Sequence, residues 1–291
     1  MIDLSFVKFF NPAAGMADSV QQPRSFSRIR KMLVKFPGGG VSLIKDERSG
    51  IAEIVLDYPE IRNGMSGVMM VELRERVLQL ENWTSGKGLI LRGKGGNFCS
   101  GGDLNFAKSS TAEEGLAMSV WMRDTLTRLQ RLPLVSVCLV HGPCLGGGAE
   151  MAVFCDYILA AEDVQYGFVH GKMGIVTAWG GGTQLVQRIG RARALDLFLT
   201  ARVMSAEECV EIGLAEAVVA SPVDLSKVTN WLKLRLTLPS QITRAFKTIV
   251  SSNHMNSQED ALNAESETFA PFWGGAMNKE ALNRNIKHSK I

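Results

Sequence analysis

The sequence predicts an α/β core with a covered, mostly parallel sheet, followed by a helical C-terminal region. Three observations carry that reading. Strand-like runs alternate with helix-periodic runs, glycine-rich turns lie where they meet, and strand signals stop near residue 225. The 291 residues allow about two domains, or one large domain with an appendage. The segments read as an extension over 1–37, a core over 38–224 and a helical region over 225–291.

Residues 1–37 read as a flexible tail. Pro12, Gly15 and Pro23 interrupt every periodic pattern, and Arg24, Arg28, Arg30 and Lys31 form a basic patch. Asp3 and Asp18 argue against a targeting presequence, and the cytosol is the expected compartment. Residues 41–45 and 51–56 predict two strands joined by a polar turn. Residues 65–83 predict a helix with Met70, Leu73, Val77 and Leu80 on one stripe and Ser66 as its cap. Residues 89–92 read as a short buried strand and 93–103 as a loop. A second helix is expected over 111–132, with Leu116, Val120, Leu126 and Leu129 inward and Pro133 ending it. Residues 134–140 form a buried strand, 142–148 a glycine turn, 149–154 a helix start and 157–160 another strand. Helices follow at 191–200, 205–212, 225–236, 240–251, 258–269 and 279–286.

Composition excludes several classes. Apolar residues make up 46% of the chain, too many for a disordered protein. The net charge of +3 announces neither nucleic acid nor a membrane surface. The strongest apolar run, 132–140, is far short of the ~20 residues a membrane helix needs. Five cysteines without a Cys-x-x-Cys pair suggest reduced thiols and offer no zinc ligand set.

The chemistry is expected where strands end in glycine. His141-Gly142-Pro143-Cys144-Leu145-Gly146-Gly147-Gly148-Ala149-Glu150 runs from a buried strand into a helix. Amides at a helix start lack internal partners and suit an oxygen that becomes negative during reaction. Glu150 projects from the same face three residues beyond Gly147. A second loop, Phe98-Cys99-Ser100-Gly101-Gly102-Asp103, can present another free amide, and Cys99 reads as a packed thiol rather than a nucleophile. A third segment carries His170 and leads through Trp179-Gly180-Gly181-Gly182 into a helix.

Together, FCSGGDL at 98–104, HGPCLGGGAE at 141–150, Cys155-Asp156 and the run at 166–185 resemble the crotonase (enoyl-CoA hydratase/isomerase) superfamily over roughly 41–285. The segments at 66–70, 80–90, 124–129, 131–137, 168–175, 178–181 and 272–275 resemble its branch that decarboxylates short 2-alkylmalonyl-CoA thioesters, ethylmalonyl- and methylmalonyl-CoA. The resemblance implies a ββα spiral core with a C-terminal helical region for trimer assembly, in a homotrimer or hexamer. It implies an acyl-CoA substrate, with coenzyme A part of that substrate and no separate cofactor or metal, and a proofreading role in metabolism. Carried over by position, the oxyanion-hole amides fall on Ser100 and Gly147, and the first hydratase carboxylate on Glu150. The second falls on His170, which departs from the two-carboxylate pattern of hydration. Thr177 and Ala178 stand where that branch suggests Pro-Ser, and Gly102 where it suggests Ser. Glu150 or His170 is expected to deliver a proton to the α-carbon after carbon dioxide leaves, or His170 to hold the carboxylate. Trp179 and Met173 are expected to shape the pocket for the alkyl branch. The rival readings are an enoyl-CoA hydratase or isomerase and a non-catalytic scaffold or RNA-binding relative.

Overall fold

The computed structural model describes residues 22–252 and 257–284. In chain order the elements are α1 (Gln22–Leu33), β1 (Gly40–Asp46), β2 (Ile51–Asp57), α2 (Gly67–Glu81), β3 (Gly88–Gly93), α3 (Leu104–Ser109) and α4 (Ala112–Arg131). Then come β4 (Val135–Val140), β5 (Pro143–Leu145), α5 (Gly147–Ala152), β6 (Tyr157–Ala161), β7 (Gln165–Gly167), α6 (Gly181–Ile189) and α7 (Arg191–Thr200). The chain continues through α8 (Ala206–Glu211), β8 (Ala217–Val219), α9 (Leu225–Lys233), α10 (Ser240–Ser252), α11 (Gln258–Phe269) and α12 (Ala276–Asn283). No helix among the described residues is long and apolar enough to cross a membrane.

The main sheet has the order β1-β2-β3-β4-β6-β8, with an antiparallel β1–β2 hairpin and parallel pairing elsewhere. Its inner strands β3, β4 and β6 are largely apolar and buried because both faces are covered, whereas the edge strand β1 is mostly exposed. Cys138 and Val140 of β4 enter the large core with α2 and α4, while Val137 and Leu139 pack with Val228 and Leu232 of α9. α9 therefore completes the sheet layer, although it follows the strand-rich part of the sequence. Behind it, Lys247 of α10 is buried in an ion pair with Asp156, whose other carboxylate oxygen accepts from the Ser136 amide and hydroxyl.

Two expectations need correction. Residues 1–21 of the supposed tail lie outside the described residues, but α1 is an ordered part of the body. Ile29 and Leu33 are buried in the core, and the Phe26 ring packs against Trp121. Pro23 does not interrupt this helix because it occupies the first turn, where no amide is needed. Leu116, expected on the inner side of α4, is exposed. The buried stripe runs through Trp121, Met122, Leu126 and Leu129, and the earlier turns border a cavity instead. Ser66 caps α2 as expected, accepting the Met69 amide.

Candidate active site

The two glycine-rich loops are joined by main-chain bonds. Cys99 N–H donates to the Pro143 carbonyl at 3.1 Å, and Leu145 N–H donates to the Cys99 carbonyl at 3.0 Å. β5 in turn pairs with β7, and Gly146 N–H donates to Gly167 O. The close approach needs glycine: a Cβ at Gly148 would lie 2.2 Å from the Cys99 carbonyl oxygen, and Gly146 has φ +54°. Cys99 itself is fully buried, which pushes its thiol up to about 12 and leaves it inert.

The loops open on a cavity of about 390 Å³. Gly102, Gly147, Glu150 and His170 line it, with an apolar wall that includes Phe106, Met118 and Trp179. No lysine or arginine lines it among the described residues. Gly147 N–H has no acceptor among these residues, as expected for a helix start. Ser100 is corrected: its N–H donates to the Arg62 carbonyl at 2.9 Å and its hydroxyl to Ile61 O at 3.0 Å. The amide without an acceptor in that loop is Gly102 N–H, beyond the turn that Gly101 makes at φ +108°.

Glu150 is almost completely buried at the start of α5. Its Oε1 accepts from Ala178 N–H at 3.2 Å and contacts His170 Nε2 at 3.0 Å. Its Oε2 accepts from Trp179 N–H at 2.9 Å and Gly181 N–H at 3.0 Å. A carboxylate offers about four lone-pair sites, so none remains for a water or a substrate. Of the two departures at 177 and 178, Ala178 lines the cavity and gives Glu150 a main-chain N–H. His170 sits on the 3₁₀ turn Val169–Met173 and is buried, and its Nδ1 has no partner among the described residues. Asp103 also lines the cavity, but its Oδ1 caps α3 through Asn105 N–H.

Of the two residues expected to hold the alkyl branch, Trp179 is buried in the wall, whereas Met173 is 62% exposed at the rim. Sequence reasoning missed Met118, Met70 and Phe106, which complete the wall from helices. As apolar positions on amphipathic helices, they carry no signal that separates them from core residues. No group of three or more potential metal-ligating side chains occurs among the described residues.

This sheet, with two joined glycine loops presenting amides to one cavity, matches a known class. The chain belongs to the enoyl-CoA hydratase/isomerase family, whose model matches residues 46–288. Within that class it is 44% identical to the ethylmalonyl-CoA decarboxylase of Xenopus laevis, over 90% of this chain and 88% of that protein. It is 42% identical to the ethylmalonyl-CoA decarboxylase of Homo sapiens, over 90% of this chain and 86% of the relative. Among solved structures, an enoyl-CoA hydratase from Bacillus anthracis superposes with TM-score 0.76 at 25% identity, covering 84% of this chain and 95% of that one. A hydratase-like protein from Thermobifida fusca YX in complex with CoA superposes with TM-score 0.72 at 26% identity, covering 86% and 97%.

Proposed function

We propose that this chain is a carboxy-lyase that removes carbon dioxide from short 2-alkylmalonyl-CoA thioesters, ethylmalonyl- and methylmalonyl-CoA. The observation that carries the reading is the saturated carboxylate of Glu150. Hydration needs two carboxylates to hold and activate one water. Here one position is His170 and the other has no acceptor site left. What remains is a pair of amides without acceptors beside an apolar wall, which suits enolate chemistry without an activated water.

In this mechanism the thioester oxygen accepts from Gly102 and Gly147 N–H. The bond between the α-carbon and the carboxylate breaks, carbon dioxide leaves, and the electron pair passes into the thioester as an enolate. Each amide is worth about 3–4 kcal/mol at such an oxyanion. The substrate carboxylate meets an apolar wall with no lysine or arginine, so its conversion to neutral carbon dioxide relieves an unfavourable burial. His170, whose Nε2–H is held by Glu150, then gives a proton from Nδ1 to the α-carbon as the N–H bond breaks and the C–H bond forms, water restores that proton, and Glu150 acts as its positioning group. Coenzyme A arrives as part of the substrate. Exposed Phe246, Leu262, Phe269 and Leu282 on the C-terminal helices, with Trp273 in the turn between α11 and α12, support assembly as a homotrimer or hexamer.

Purified protein should release carbon dioxide from ethylmalonyl- and methylmalonyl-CoA and leave crotonyl-CoA unhydrated. Hydration of crotonyl-CoA without decarboxylation of either malonyl thioester would overturn the proposal.

A further inference from the structure

We infer that Met118 is a specificity-determining positioning residue, whose thioether fixes the Trp179 indole as the wall that the acyl branch meets. The inference rests on the reaction proposed above. Trp179 is buried, and a buried indole N–H needs an acceptor. That acceptor is the Met118 sulfur, 2.9 Å from Nε1. The rest of the Trp179 segment is pinned independently. Its amide donates to Glu150, and Ser119 Oγ donates to the preceding Ala178 carbonyl at 2.5 Å. The indole orientation is thus the remaining freedom, and α4 sets it through Met118.

The ring lies on the oxyanion segment itself. A Cβ at Gly147 would stand 2.5 Å from Cη2 and Cζ3 of Trp179, so glycine there leaves room for the indole. A thioester oxygen about 2.9 Å from Gly147 N–H brings its α-carbon within roughly 6 Å of that nitrogen, beside the ring. The alkyl substituent on that carbon then meets the indole. A thioether is a weak acceptor on a pliable side chain, so the wall is held softly.

Met118→Leu keeps the volume and removes the acceptor. The ratio of kcat/KM for ethylmalonyl-CoA over methylmalonyl-CoA should change about tenfold, the low end of what one methylene is worth in an apolar pocket. Met118→Gln, which restores an acceptor at similar reach, should bring the ratio back towards that of the parent protein. In a Trp179→Phe background, which lacks the N–H, Met118→Leu should alter the ratio by less than about twofold. The indole ¹⁵N–¹H resonance of Trp179, assigned by its loss in Trp179→Phe, should shift in Met118→Leu. An unmoved resonance, or equal losses on both substrates, would overturn the inference. If the parent protein turns over no malonyl thioester, the reaction proposed above fails. The role of Met118 is then decided by the resonance and by the relative affinities for butyryl- and propionyl-CoA, which should change in the same variant.

Discussion

Glu150 and His170 form one buried pair. Replacing Glu150 by Gln turns an NH₂ group towards main-chain amides that can only donate, leaving at least one buried donor unpaired at about 1–3 kcal/mol. Glu150→Gln should therefore lower Tm by about 5 °C and also depress decarboxylation. His170→Ala should cut turnover by about 10²-fold or more while changing Tm far less. Calorimetry with a carbon dioxide release assay separates the two, and parent-like rates in both variants would remove the pair from the mechanism. At this scale the gathering of Gly147, Glu150, His170 and Trp179 around one cavity was legible, because glycine clusters mark where backbone segments approach closely. The second amide was not. Ser100 and Gly102 flank a glycine at φ +108°, and only coordinates reveal which N–H is left without an acceptor after such a turn.

Among the elements, α1 separates the sequence reading from the structure most sharply. A dispensable tail predicts that deleting residues 1–37 changes nothing. The structure predicts the opposite, because Ile29 and Leu33 are core residues, each worth about 1.5–3 kcal/mol when buried. α1 also packs so closely on α2 that a Cβ at Gly67 would stand 2.0 Å from the Leu33 carbonyl oxygen. The deletion should lower Tm by about 5 °C or more, read by calorimetry; an unchanged Tm would return the segment to tail status. The long strands and the helices α2, α4, α7 and α11 were legible from period and caps. The strands β5, β7 and β8 were not: each has three residues, and their partners lie far away in sequence.

For the molecule as a whole, one sheet unites the glycine-rich loops, the helical C-terminal segment and a buried histidine. His141 follows β4 and lines a second cavity, with Asp163 and Arg92 also on its wall. Burial holds its imidazole below the ordinary 6.5, against the opposite pull of Asp163. Near pH 6 the unfolded chain therefore binds more protons than the folded one. This contribution to stability is complete above pH 6.5 and falls as pH drops below it. Between pH 7.5 and 5.5 the parent protein should lose more Tm than His141→Asn, and equal losses would show that His141 contributes nothing. The saturated carboxylate of Glu150 also constrains how such an enzyme can diverge. A glutamate placed at 170 would set two acids against each other where Oε1 and Nε2 now stand 3.0 Å apart, and one of them would have to stay neutral. The exchange would also free the Oε1 acceptor site that His170 now occupies, while the Ala178, Trp179 and Gly181 amides kept their hold on the rest of the carboxylate.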